Sequence, residues 1–176
     1  MRGAAVSRVR AVIALMFVFG AALLAGCAGP MPLRGEVLEA GTGRPVVGAV
    51  VLGIWTKTLW APSQSRGQLV DVKETEVDDA GRFTLVRPDA SYARESIFIH
   101  KAGYVAWSNY STFPTFEQRD GSVPPQIMLE PFPAGDTRKL REQHEKWIDS
   151  YAWQGLYPKT RVPHFIESLG RDGIRW

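Results

Sequence analysis

LRGEVLEAGTGRPVVGAVVLGIW (residues 33–55) sets two apolar stretches on either side of a breaker cluster. Gly41, Thr42, Gly43, Arg44 and Pro45 are residues that permit or impose turn dihedrals, so the chain reverses there. Val37, Val46, Val50 and Val51 are β-branched and favour extended backbone. The stretch therefore predicts a connected pair of strands.

The same pattern continues towards the C-terminus. KETEVDDAGRFTLV (residues 73–86) predicts a second strand pair, with a turn at Asp78-Asp79-Ala80-Gly81 and Gly81 in the left-handed conformation of a bulged hairpin. Phe83 and Leu85 alternate with Arg82 and Thr84, so one face of that strand is buried and the other is wet. SIFIHKAGYVAWSNY (residues 96–110) predicts two more strands, broken at Ala102-Gly103. PQIMLEP (residues 125–131) predicts a last strand, with Ile127 and Leu129 on one face. No long helical pattern interrupts this region, which argues against parallel βαβ units. The expected class is mainly β: a seven-stranded antiparallel β-sandwich over residues 33–131.

Four pieces of this region carry a family resemblance. They are Gly35-x-Val37, Gly43-x-Pro45-Val46-x-Gly48-Ala49-x-Val51, Asp78-x-x-Gly81-x-Phe83-x-Leu85 and Gly103-Tyr104, in that order. Together they resemble the carboxypeptidase regulatory-like domain. The resemblance implies a transthyretin-like Greek-key sandwich and an accessory, non-catalytic role. Glu39 stands where that family often has Asp, and Val77 where it often has Thr. Residues 56–67 are longer than a simple hairpin turn.

Beyond residue 131 the pattern changes. Leu140, His144, Trp147 and Tyr151 recur at spacings of four, three and four, and Ile148 widens the stripe. This predicts one amphipathic helix in a C-terminal extension, residues 132–176, with Asp136 as its N-cap. Arg138, Lys139 and Arg141 occupy its first turns and oppose the helix dipole. Its aromatic face must therefore dock on something: the sandwich first, with a second protein or the membrane as alternatives. A short helix around residues 165–169 is the most the remainder allows.

Reactive side chains form no recognisable catalytic set in the sequence. HEKWI (residues 144–148) begins like a zinc-binding helix motif, but Ile148 stands where the second histidine belongs. His164 and Glu167 have the spacing of two zinc ligands, yet no histidine follows them. His100 is expected at a strand end, its ring outward or hydrogen-bonded. Asp78 and Asp79 are neighbours and point apart, so turn-making explains them better than acid–base pairing. Catalytic residues, metal ligands and cofactors are all expected to be absent. The aromatics Trp55, Trp60, Trp107 and Tyr110, with Phe113, fall near strand ends. They either fill the core edge or form a platform for glycan, peptide or a partner protein, with Trp60 as its exposed anchor.

The N-terminus adds an address. MRGAAVSRVR is basic, and AVIALMFVFGAALLAG is apolar throughout. This is the layout of an export signal, and the apolar run falls short of a membrane-spanning helix. It ends at Cys27, the chain's one cysteine. Leu24-Ala25-Gly26-Cys27 resembles the lipobox of bacterial lipoproteins. That resemblance implies cleavage of the signal (residues 1–26), acyl chains such as palmitate on Cys27, and a short tether over residues 27–32. Ala28 in place of Asp implies the outer rather than the inner membrane.

The whole chain has 21 basic and 18 acidic residues. Three of the arginines lie in the signal, so the remainder is neutral and a nucleic-acid partner is not expected. The expected role is a non-catalytic lipoprotein of the cell envelope and periplasm, structural or binding. Its partners would be membrane lipid through Cys27 and an envelope protein or glycan. The alternatives are a glycan- or peptide-binding accessory subunit and a hydrolase with an unrecognised site.

Overall fold

A computed structural model of the chain describes residues 31–61, 64–135, 137–152 and 161–174. Residues from Pro32 onward form one compact unit, in which two β-sheets and two helices are layered. The strands are β1 (Leu33–Glu39), β2 (Val50–Ala61), β3 (Gln64–Glu76), β4 (Arg82–Leu85), β5 (Arg94–His100), β6 (Trp107–Ser108) and β7 (Gln126–Leu129). The helices are α1 (Arg138–Ala152) and α2 (Pro163–Arg171). A three-stranded sheet has the order β4-β1-β7, and a four-stranded sheet has the order β3-β2-β5-β6.

The mainly β, sandwich-like class is as expected, but the pairing differs in three ways. β1 and β7 run parallel, so the expectation of a wholly antiparallel sandwich is corrected at that pair. β1 and β2 are not ladder partners: they lie in different sheets, as do β3 and β4. Each breaker cluster turns the chain locally, with Leu38 bridged antiparallel to Pro45 and the Asp78 N–H donating to the Arg82 carbonyl, and the chain then passes from one sheet to the other. Finally, residues 56–61 and 64–67 are strand and not loop. They belong to the arms of the long β2–β3 hairpin, paired as far as Ala61 opposite Gln64.

Local readings hold where the burial pattern is simple. Phe83 and Leu85 are buried while Arg82 and Thr84 are exposed. Ile127 and Leu129 repeat this on β7. The turn before β4 is built as its sequence suggests. Asp78 Oδ1 accepts the N–H groups of Ala80 and Arg82 at 2.9 and 2.8 Å, and Gly81 has φ +80°. A Cβ at Gly81 would stand 3.2 Å from both Pro45 Cβ and the Val37 carbonyl.

β2 reads differently from the other strands. Val50, Val51, Leu52, Ile54 and Trp55 are all nearly or fully buried, which requires cover on both faces. Val51 and Trp55 face the inter-sheet core with Val37, Phe83, Leu85, Ile97, Ile99, Trp107, Ile127 and Leu129. Val50, Leu52 and Ile54 face the opposite way, with Val72 and Phe98, against Trp147, Ile148, Ala152, Phe165 and Leu169 of the helices. The C-terminal extension is therefore the third layer of the domain.

The expected stripe on α1 is present. His144, Trp147 and Ile148 are buried and Leu140 is half-buried; Asp136 and the Tyr151 side chain lie outside the described residues. α1 has no acidic residue in its first turn and no basic residue in its last, so tertiary packing stabilises it. α2 is a full nine-residue helix, longer than the short segment expected.

Two substitutions test this layering by thermal or denaturant unfolding. Trp147→Ala should cost about 3–5 kcal/mol, because the ring is fully buried between α1 and the sheet. Gly81→Val should cost more than about 1 kcal/mol, because a β-branched residue is disfavoured at positive φ. An unfolding midpoint unchanged by Trp147→Ala would detach α1 from the sheet; one unchanged by Gly81→Val would contradict the turn.

Candidate functional site

The aromatic candidates are packed rather than displayed. Trp55 has no exposed surface, and its indole N–H donates to Glu95 Oε1 at 2.8 Å. Glu95 also takes a two-point contact from Arg87, at 2.7 and 2.9 Å. Burial pushes the Glu95 carboxyl up, and the Arg87 and Trp55 donors outweigh it, holding its pKa below the usual value. Trp107 is 8% exposed and shares the inter-sheet core with Trp55; the Arg119 guanidinium lies 5.1 Å from its ring centre. Arg94 covers the half-buried Tyr110 ring at 3.8 Å. Phe113 packs against His144 and Trp147. The structure thus does not bring Trp55, Trp107 and Tyr110 onto one open surface, because each amphipathic ring already has an apolar bed and a polar partner. Trp60 stands opposite Ser65 in the β2–β3 ladder; its side chain lies outside the described residues, as does Cys27.

A different group of side chains converges where β5 meets the two helices. His100 ends β5 and has no exposed surface. Its Nδ1 lies 2.8 Å from Ser168 Oγ, and its Nε2 lies 3.1 Å from Asp172 Oδ2. With Asp172 ionised, a neutral imidazole carries its proton on Nε2, and Nδ1 accepts the Ser168 hydroxyl. Asp172 also accepts the Gly103 N–H at 2.9 Å and has Arg141 at 4.0 Å. Burial pushes the Asp172 carboxyl up, but His100, Gly103 and Arg141 together hold it below its ordinary range.

His144 lies beside this group, its ring stacked 6.5 Å from that of His100. Phe113, Phe132 and Trp147 surround it at 4.9, 5.4 and 6.1 Å between ring centres. Its Nε2 accepts the Ala106 N–H at 2.9 Å, so that nitrogen is unprotonated. Burial, with His100 alongside, pushes the His144 pKa down to about 4. A cleft of about 360 Å³ reaches the group from outside, lined by Thr137, Arg138, Arg141, Glu142, His144 and Asp172 among others.

Ser168, His100 and Asp172 have the hydrogen-bond order of a nucleophile, its base and an orienting acid. Acyl transfer needs more: an approach path to Oγ and donors aimed at the developing oxyanion. Ser168 is 6% exposed, lies inside α2 and does not line the cleft. As placed, the three residues clasp the end of α2 to β5 and to the turn at Gly103.

A second clasp holds the start of α2. Glu74 Oε1 and Oε2 accept the N–H groups of His164 and Phe165, each at 2.9 Å. This carboxylate serves helix donors that no local side chain caps. Arg161 bonds Asp71 and the Val72 carbonyl. His164 pairs with Glu76 at 3.1 Å, and Glu167 with Arg171 at 2.7 Å, so the zinc-like spacing of His164 and Glu167 does not bring them together. Among the described residues no group of three His, Cys, Asp or Glu side chains could hold a metal ion.

Sequence reasoning missed Ser168, Asp172 and Glu74, which meet their partners across 68 to 91 residues. The usable signal was Pro163, favoured at the first position of a helix, followed by Phe165 and Leu169 on one face.

No family model matches the chain, and no curated protein matches it. Among solved structures, a 9R-lipoxygenase from Cyanothece PCC8801 aligns with a TM-score of 0.30 and 11% identity, over 80% of this chain and 23% of the lipoxygenase. The chain thus spans about a quarter of that protein's length, and a score this low carries no argument for fold or activity.

The pH dependence of stability tests the His144 environment. An unfolded histidine titrates near 6.5, whereas His144 in the fold titrates at about 4. Between these values the unfolded chain binds more protons, so stability is complete above about pH 6.5 and falls as the pH drops towards 4. The shift sets an upper bound of about 3 kcal/mol. His144→Gln retains an acceptor for the Ala106 N–H and does not titrate. Melting temperatures from pH 7 to 4 should fall less steeply for this variant than for wild type; equal slopes would contradict the assignment.

Proposed function

We propose that this chain is a lipid-anchored, non-catalytic module of the cell envelope. It would be held to the outer membrane through acylated Cys27 and present a transthyretin-like sandwich as a structural or binding unit. The observation that carries this reading is Leu24-Ala25-Gly26-Cys27 at the end of an apolar run, with the first strand starting at Leu33. One cysteine suffices for such an anchor, because each buried CH₂ of an acyl chain adds about 0.8 kcal/mol of membrane retention.

The carboxypeptidase regulatory-like resemblance, with its Greek-key topology, belongs to the same proposal. In its support, Gly43, Gly48, Gly81 and Gly103 of the matched pieces all adopt positive φ. Gly35 lies where a Cβ would come within 2.8 Å of Phe83. The occlusion of Ser168 supports a structural role for the buried triad over a hydrolytic one.

One observation favours a binding role over a purely structural one. A groove of about 870 Å³ runs past β1 and β4, lined by Arg34, Glu36, Glu76, Arg82, Thr84 and Gln126 among others. Its mixed polar lining suits an extended peptide or a glycan, so the ligand-binding reading rests on this groove and not on the tryptophans.

Cys27→Ser tests the anchor. The variant should remain uncleaved or leave the membrane fraction. Processing and fractionation identical to wild type would remove the basis of the proposal.

A further inference from the structure

β2 and β3 outrun the sheet they belong to. β5 accompanies β2 only as far as Thr56, opposite Arg94. Beyond that point no other described strand joins them, and they pair with each other up to Ala61 opposite Gln64. Thr56 to Ala61 covers about 17 Å at the usual strand rise. A two-stranded ribbon of this kind is marginal in water on its own.

The ribbon leaves the sandwich at the end where the domain's own N-terminus lies. Leu33 pairs with Leu85, and a Cβ on Gly53 would stand 2.6 Å from Leu85 Cδ2. Leu33 is therefore level with Gly53, and Ala61 lies about 26 Å further along β2. The opposite end is marked by Gly81, packed against Val37 and Pro45.

The ribbon's composition suits an anionic interface. Residues 56–70 contain Lys57 and Arg66 and no acid, and Leu59-Trp60-Ala61-Pro62 is an apolar run in the sequence. Leu59 is 46% exposed and Lys57 is exposed. Apolar residues beside basic ones favour the headgroup layer of an anionic leaflet.

The covalent tether then restricts what the ribbon can meet. From Cys27 to Leu33 the chain reaches at most about 22 Å, less than the ribbon extends beyond Leu33. We propose that the tip of the β2–β3 ribbon seats in the headgroup layer of the bilayer that holds Cys27. This rests on the lipid-anchored reading above. With the ribbon turned towards the bilayer, its tip meets the headgroups before the tether is taut. The anchor and the ribbon then form two contacts that fix the domain's orientation.

The test uses the full lipidated chain. Acylated Cys27 has no free thiol, so Leu59→Cys carries the one reactive thiol in the chain. Ala80→Cys, beside Gly81 at the far end, is the control. Each is labelled with a fluorophore and reconstituted in phosphatidylethanolamine–phosphatidylglycerol vesicles containing brominated phospholipid, and mass spectrometry reports the state of Cys27. The label at 59 should be quenched several-fold more than the label at 80, and Lys57→Glu with Arg66→Glu should reduce that quenching. Equal or absent quenching at the two sites, with Cys27 acylated, overturns the ribbon proposal and leaves the anchor standing. Disulfide dimers of the unlabelled Leu59→Cys protein, with no lipid quenching of the labelled one, would make a second copy the occupant and also overturn it. Unmodified Cys27 would instead overturn the anchor, and the ribbon proposal with it.

Discussion

The fold depends on covering both faces of β2. Val50 to Thr56 is buried without a break, so neither sheet alone nor helices alone would satisfy it. The three-stranded sheet takes one face through Val37, Phe83, Leu85 and Ile127. The helices take the other through Trp147, Ile148, Phe165 and Leu169. Without the helices, Leu52, Ile54 and Phe98 would form an exposed apolar patch, a feature that stable monomers keep small. The C-terminal segment is thus part of the domain's core, although its sequence reads as an extension.

That layering explains why the polar contacts fall where they do. Apolar packing is non-directional and leaves a helix free to slide on a sheet. Two clasps remove that freedom. Glu74 fixes the start of α2, and Asp172, with Ser168 and His100, fixes its end. His144 plays a similar part for α1 by accepting the Ala106 N–H. A buried histidine that accepts a backbone donor must stay neutral, and its aromatic surroundings favour that form. The Nε2 lone pair that a zinc motif would use is taken by the Ala106 N–H.

Much of this was legible in local sequence, and the reasons for what was not are physical. Alternation exposed the faces of β4 and β7, because each strand has one wet side. The continuous apolar run of β2 was legible as a strand, and a run buried on both faces signals a second covering layer. Strand partners were not legible: alternation is the same in a parallel pair as in an antiparallel one, so β1 beside β7 left no mark. Pro62, Ser63 and Gly67 obscured the hairpin arms, although Thr56, Thr58 and Trp60 favour strands. The clasp residues were invisible because each is an ordinary Ser, Asp or Glu until the fold brings it to a partner far along the chain. The tryptophans were noticed, with core filling and a binding platform both open. Size and a polar N–H serve a core edge as well as a binding surface, and only burial separates the two.

The two ends of β2 are chemically unlike, and this bears on where a ligand could approach. At one end Val50 stands opposite His100, and there the histidines, Asp172 and Arg141 gather beside a polar cleft. At the other end β5 stops at Arg94 opposite Thr56, and an acid-free ribbon continues alone. Leu33, where the first strand begins, lies towards the ribbon end. If the chain is tethered at Cys27 as proposed, the cleft faces away from the bilayer, and the groove beside β1 and β4 opens along the side. A soluble peptide or glycan then meets polar surface first, while the apolar and basic tip is kept for the interface. On that proposal the sheet's length, set by how far β5 follows β2, would separate a membrane-facing end from a ligand-facing one within a single domain.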